Sequence, residues 1–392
     1  GKDVTIEMAK RRLLFEPDAA DLLGFLAHLT TPEDLGAFLR PHLEDRPVRM
    51  DWHRVYQDAM SKLTRDDEVE QTYTDMLAAE PENAELMYLL ARASRDTERA
   101  VQLCKRAASA ENPTQYAPRW LCSHYLSRGD LDAAADSAED ALALAPDEVG
   151  THAMYRSALI AGKRYERVLE LVPLDTDQPF PYCIPAFSDE AYVRSILGQD
   201  DEPGVVVTRL RRVLKAFGDK MVAEQVALVT ADQRYVRGEI DAFVEMCEES
   251  QNAHNRLAAA ATKPDLDAAQ KALGEWTMPD ATAHLLVFLV AHLENAQDIA
   301  DKHRAAAIKC LSDGDRDDRV FAEALADPAS MSLDAIADAH EDPNVKRVYV
   351  AAIATLATKD PHALLELAEK LNFDRRFPHR LIQRVIDRYK TP

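Results

Sequence analysis

Chemistry in this chain would have to come from scattered acids, histidines and cysteines, or from arginines at helical spacing. Asp313-Gly314-Asp315-Arg316-Asp317 opens like a calcium loop. The sixth place, where such a loop needs glycine, is Asp318, and the twelfth, where it needs a bidentate acid, is Ala324. The stretch therefore reads as an exposed acidic turn. His284 and His292 lie eight residues apart on one helix, more than two turns, so they do not share a metal without other ligands. His340-Glu341-Asp342 precedes a proline and reads as a helix end. No His-Glu-x-x-His, phosphate-cradling glycine loop or nucleophile elbow occurs. The five cysteines, Cys104, Cys122, Cys183, Cys247 and Cys310, are odd in number and form no Cys-x-x-Cys pair, which argues against a disulfide framework or a zinc site. Cys104 and Cys122 fall on inward helix faces, where a thiol packs as a small apolar group. The expectation is a chain without catalytic residues, metal or cofactor.

Arginines are more informative. The last helix, PHRLIQRVIDRYK, sets Arg380, Arg384 and Arg388 four apart in one basic stripe, with Leu381, Ile382, Val385, Ile386 and Tyr389 on its apolar face. Such a stripe suits contact with an acidic partner, a membrane surface or nucleic acid. The reading preferred in so acidic a chain is a terminal capping helix whose arginines balance the body.

That body is acidic indeed: 47 Lys and Arg stand against 68 Asp and Glu, a net charge of −21. Most of the surface would repel nucleic acid, whose binding rests on neutralising phosphates. The longest apolar run, around 283–293, is too short to span a bilayer and contains His284 and His292. Neither nucleic acid nor membrane is expected as a partner, no signal peptide is read in the opening residues, and a cytoplasmic location is the expectation. The first residue is Gly rather than Met, which reads as a cleavage scar. Only 12 glycines and little strand-like alternation point to an all-helical protein.

The elements that position these residues are best seen at 115–148, QYAPRWLCSHYLSRGDLDAAADSAEDALALAPDE. Leu121, Cys122 and Tyr125 mark one helix. Gly129 ends it and Asp130 caps the next, in which Leu131, Ala134, Ala138, Ala141 and Leu142 share a face. Pro146 closes the unit. This 34-residue helix–turn–helix resembles the tetratricopeptide repeat. Leu121, Cys122, Tyr125, Gly129, Ala134, Ala138, Ala141 and Pro146 fall at signature positions, although Pro118 replaces the signature tryptophan. Further units are expected at 50–83, 84–114 and from 149 to 172. The resemblance implies an all-α right-handed superhelix of antiparallel helix pairs, an α-solenoid.

Around 50–172, the chain divides into N-terminal capping helices over 1–49, a Pro- and aromatic-rich strap over 173–187, and a divergent helical-repeat or bundle region over 188–392. In the strap, Pro173, Pro179, Pro181 and Pro185 argue against a regular helix.

In the tetratricopeptide fold the first helix of each pair lines the concave surface. Carried over, its ligand-facing positions nominate Arg54, Tyr88, Arg92, Tyr116, Arg119 and Ser123 as groove residues. Arg54, Arg92 and Arg119 would form a cationic strip, or else pair with Asp51, Asp58 and Glu85 inside the groove. The lysine–asparagine clamp by which some such proteins grip a chaperone's C-terminal carboxylate is not matched: Arg54 and Asp58 stand in its place. From 129 to 155 there is no Lys or Arg, so the outer side of that unit should be acidic. The expected function is non-catalytic binding of another protein or an extended, acidic peptide. The alternative is a recruitment or regulatory domain of a larger enzyme.

Overall fold

The computed structural model describes residues 2–171, 183–199, 204–339, 342–372 and 375–390. Over these it is all-α, with no strand among the described residues. The helices are α1 Lys2–Phe15, α2 Ala20–Leu29, α3 Pro32–Leu39, α4 Met50–Lys62, α5 Asp66–Ala79, α6 Ala84–Ala93, α7 Thr97–Ala108 and α8 Tyr116–Arg128. They continue as α9 Leu131–Leu144, α10 Val149–Ala161, α11 Tyr165–Glu170, α12 Cys183–Leu197, α13 Gly204–Leu214, α14 Asp219–Arg237, α15 Ile240–Glu248 and α16 Ala253–Thr262. The last are α17 Leu266–Gly274, α18 Ala281–Leu293, α19 Gln297–Ser312, α20 Arg316–Ala326, α21 Leu333–Asp338, α22 Pro343–Leu356, α23 Pro361–Lys370 and α24 His379–Lys390.

The chain forms two compact units, one of residues 1–121 with 313–319, the other of 122–312 with 320–392. Within the first, α4 packs on α5, α5 on α6 and α6 on α7, while α4 also touches α6. Contact with both the next helix and the next but one is the packing of an α-solenoid. The second unit repeats it: α10 touches α11 and α12, α12 touches α13 and α14, and α16 touches α17 and α18. Its last helix, α24, packs against α16, α18 and α22.

Local sequence explains the pairs. Asn83, Asp96, Asp130, Glu148, Asp265 and Asp280 each cap a helix by accepting from a backbone N–H of its first turn. In the 115–148 unit, Gly129 takes φ +76° and Asp130 donates its N–H to Tyr125 O at 3.0 Å. This is the left-handed stop read from the sequence. Cys122 and Leu126 of α8 then meet Ala134, Ala135 and Ala138 of α9, whose small side chains let the two helices approach closely. Cys104 and Cys122 are wholly buried, and burial pushes the Cys122 thiol up to about 12.

Two expectations need correction. Residues 183–187 of the expected strap are helical, because α12 begins at Cys183 and Pro185 sits in its first turn, where a missing N–H costs nothing. Residues 173–182 lie outside the described residues. The supposed exposed acidic turn at 313–318 is docked in the first unit. Arg316 donates its backbone N–H to Ser61 Oγ at 2.9 Å and its guanidinium to Ser94 O at 3.2 Å. Arg319 donates to Ser61 O at 2.7 Å and to Asp66 Oδ2 at 3.0 Å. Arg316 within the acidic stretch and Arg319 just beyond it thus bond the last residues of α4 and the cap of α6, Ser61 O accepting from Thr64 N–H as well. Asp315 accepts from the N–H groups of Asp317 and Asp318, capping α20.

Candidate functional site

In the first unit α4, α6 and α8 each contribute to one cluster. Tyr116, in the first turn of α8, stacks on Tyr88 of α6 with ring centres 5.5 Å apart. The Arg54 guanidinium lies 5.3 Å from the Tyr116 ring centre, and that of Arg119, one turn along α8, lies 5.8 Å from it. Two cations thus border one half-buried ring, an arrangement worth about 0.5–2 kcal/mol per contact according to how dry it is. Tyr88 is buried and supports Tyr116 from beneath. Burial, and then the charge of Asp51, raises the Tyr116 hydroxyl above its usual range. Asp51 stands 4.0 Å from Arg54, and Arg54 Nε is buried without a hydrogen-bond partner among the described residues. Two guanidiniums and two tyrosine rings thus meet in one cluster, with the Asp51 carboxylate beside Arg54.

Arg92 does something else. It donates to Gln57 Oε1 at 2.8 Å and to Asp58 Oδ1 at 2.5 Å, while Gln57 donates to Leu89 O at 2.8 Å. Gln57 is buried, so this chain of bonds ties α6 to α4. Arg92 is a strut between helices rather than the middle of an open cationic strip. Ser123 is half-buried on α8 and falls in the second unit.

The C-terminal stripe is likewise drawn into the fold. Arg388 donates to His292 O at 2.8 Å and to Asn295 Oδ1 at 2.7 Å, closing the C-terminus of α18. Arg380 lays its guanidinium over the Tyr235 ring at 5.5 Å, and its backbone N–H donates to the Tyr235 hydroxyl at 2.7 Å. Arg384 is exposed.

Spacing in sequence could not reveal three other arrangements in the second unit. Asp189 receives Arg156 Nε at 2.5 Å and Arg376 Nη2 at 2.8 Å. The neighbouring Glu190 receives Arg194 at 2.8 Å and both its oxygens receive Arg209, at 2.7 and 2.8 Å. These buried carboxylates are each held between two arginines, so their oxygens are engaged in ion pairs within the fold. Finally, His284 Nδ1 and His303 Nδ1 lie 3.1 Å apart, and burial lowers both below the usual histidine range, His303 to about 4. No group of three or more His, Cys, Asp or Glu able to hold a metal occurs among the described residues. Among them, too, no helix is long and apolar enough to cross a membrane.

The chain matches no protein-family profile and no curated protein. Among solved structures it is similar to the crystal structure of the P58(IPK) TPR domain, at 13% identity and a TM-score of 0.21, over 100% of this chain and 99% of that one. So distant a likeness bears on neither site nor function, and the account of the fold rests on the helices described above.

Proposed function

We propose that this chain is a non-catalytic, tetratricopeptide-type scaffold that binds an acidic segment of another protein across Arg54, Tyr116 and Arg119. The observation that carries this reading is the convergence of Arg54 and Arg119, from two different helices, on the single Tyr116 ring. A guanidinium fork holds a carboxylate bidentately, and a flat ring beside it offers apolar area to the rest of the segment. The acidic outer residues of α9, among them Asp132, Asp136, Glu139 and Asp140, are exposed and would repel acidic ligands elsewhere, steering them to the two guanidiniums. The same reading places the protein in the cytoplasm, where the thiols of Cys104, Cys122 and Cys247 stay reduced.

The test is affinity capture with the wild-type chain and with Arg54→Glu/Arg119→Glu as baits. Arg92 is left alone, because reversing it would break the Gln57–Asp58 strut. Partners captured by the wild type and lost from the double variant support the reading; identical sets of partners overturn it.

A further inference from the structure

The first helix of the first unit is anchored on one side and open on the other. Ala9 and Leu13 are buried, α1 packs on α2, and Lys10 lies over the Phe38 ring at 5.4 Å. The opposite side exposes Val4 at 60%, Met8 at 66%, Leu14 at 48% and Phe15 at 86%. A helix turns through about 100° per residue, so Val4, Met8, Arg11 and Phe15 fall in one narrow stripe. Single exposed apolar residues are ordinary, but an aligned set that includes an almost fully exposed Phe marks a contact surface.

The charges beside the stripe say what it contacts. Glu7 and Arg11 share one flank, side chains 59% and 74% exposed, and bond each other at 3.1 Å. Arg12 and Glu16 pair likewise on the other side. An anionic lipid surface calls for a uniformly basic border, whereas here each arginine has its own acid one turn away. A border that alternates in sign along the helix is complementary to itself when turned end for end.

We infer that α1 is a self-association surface, through which two copies of this chain pack antiparallel about a two-fold axis level with residue 9. Such an axis keeps each flank facing its own counterpart. Glu7 of each copy then stands opposite Arg11 of the other, and Val4 lies level with Leu14 and beside Phe15. Met8 fills the middle. The contact is isologous, and the local Glu7–Arg11 pairs exchange partners across it.

The surface is distinct from the Arg54–Tyr116–Arg119 site and is tested separately, on the whole chain. Sedimentation or light scattering would follow mass against concentration. A patch this small should give a dimer with a Kd of about 10 µM, so the mass rises from 43.8 kDa towards twice that value. Met8→Ser/Phe15→Ser should stay monomeric with unchanged circular dichroism, since neither side chain belongs to the core. Glu7→Arg should weaken the dimer about tenfold, and Glu7→Arg/Arg11→Glu should restore it. A monomer persisting at about 100 µM would overturn the proposal. So would a dimer indifferent to Met8→Ser/Phe15→Ser, or binding to phosphatidylserine vesicles by a wild-type chain that does not dimerise.

Discussion

Gly129 and Gly198 hold the same place in two helix pairs. Each follows a helix, α8 or α12, with left-handed backbone at φ +76° and +65°. The next residue donates its N–H five back, Asp130 to Tyr125 O and Gln199 to Arg194 O, both at 3.0 Å. Lys163 does the same after α10, at φ 57°, with Arg164 donating to Leu159 O at 2.8 Å. The left-handed positions 129, 163 and 198 are thus 34 and 35 residues apart. The same left-handed stop thus recurs after α8, α10 and α12.

Because these turns demand a left-handed residue, their substitutions should move stability in opposite directions. Nothing lies within 4 Å of a Cβ added at Gly129 or Gly198, so alanine there meets only backbone strain, about 1 kcal/mol each. Lys163→Gly relieves the same strain and should stabilise by about 0.5–1 kcal/mol. Thermal unfolding should show Tm lowered by about 1–3 °C for Gly129→Ala and Gly198→Ala and raised for Lys163→Gly. Equal shifts of one sign would contradict the turn assignment.

This contrast also shows what the sequence could convey. Gly129 was legible because glycine advertises a left-handed position; Lys163 was not, since an exposed lysine gives no such sign and only the local backbone bonds of its turn mark the conformation. Pro185 looked like a breaker because sequence alone does not say whether a proline stands in a first turn or a helix interior. Arg54 and Arg119 could be assigned to a common surface through the repeat register. That Arg92 turns inward depended on Gln57 and Asp58, one pair earlier, whose side chains no periodicity orients. The arginine-held carboxylates Asp189 and Glu190 were illegible because Arg376 lies 187 residues from Asp189.

Buried histidines should make the fold sensitive to mild acid. His53 is fully buried, its Nδ1 3.0 Å from the Tyr73 hydroxyl, and burial, with Arg46 nearby, lowers it from 6.5 to about 4. The unfolded chain therefore binds a proton near pH 6.5 that the folded chain refuses until about pH 4. Stability is full above pH 6.5 and is lost as pH falls towards 4, by up to about 3 kcal/mol for this residue. His303 and His379, also lowered to about 4, act in the same direction. His53→Asn keeps a polar neighbour for Tyr73 and removes the titration. Its Tm should fall less between pH 7 and pH 5 than that of the wild type; parallel curves would show that His53 does not contribute.

The Asp189 carboxylate should matter more than its place on a helix suggests. Arg156 is 1% exposed, and Asp189 carries both Arg156 and Arg376. Removing the acid by Asp189→Leu takes a carboxylate partner from the buried Arg156 guanidinium, a loss of about 3–5 kcal/mol. Replacing Arg156 as well, in Arg156→Met/Asp189→Leu, should recover much of that loss, because an apolar pair needs no desolvation. Urea midpoints of the single and double variants provide the comparison. A double variant less stable than the single would show that the charges stabilise the fold rather than merely satisfy each other.

The docked segment 313–319 depends on Gly314 and Arg319 for different reasons. A Cβ on Gly314 would stand 2.5 Å from Asp318 Cβ, so the tight turn admits no side chain without shifting. Arg319 bonds the carbonyl of Ser61 at 2.7 Å and that of Gly314 at 3.1 Å, and meets Asp66 with both side chains largely shielded from water. Gly314→Ala should therefore displace the turn sterically, and Arg319→Ala should release it electrostatically. Either loss, about 1–3 kcal/mol, would free the Arg316 N–H from Ser61 Oγ and speed its hydrogen exchange tenfold or more, by about the same logic of local opening. Raised salt should loosen the wild-type segment only slightly, because the Arg319–Asp66 pair is shielded. Unchanged exchange at Arg316 in both variants would mean that backbone packing, and not these two residues, holds the segment in place.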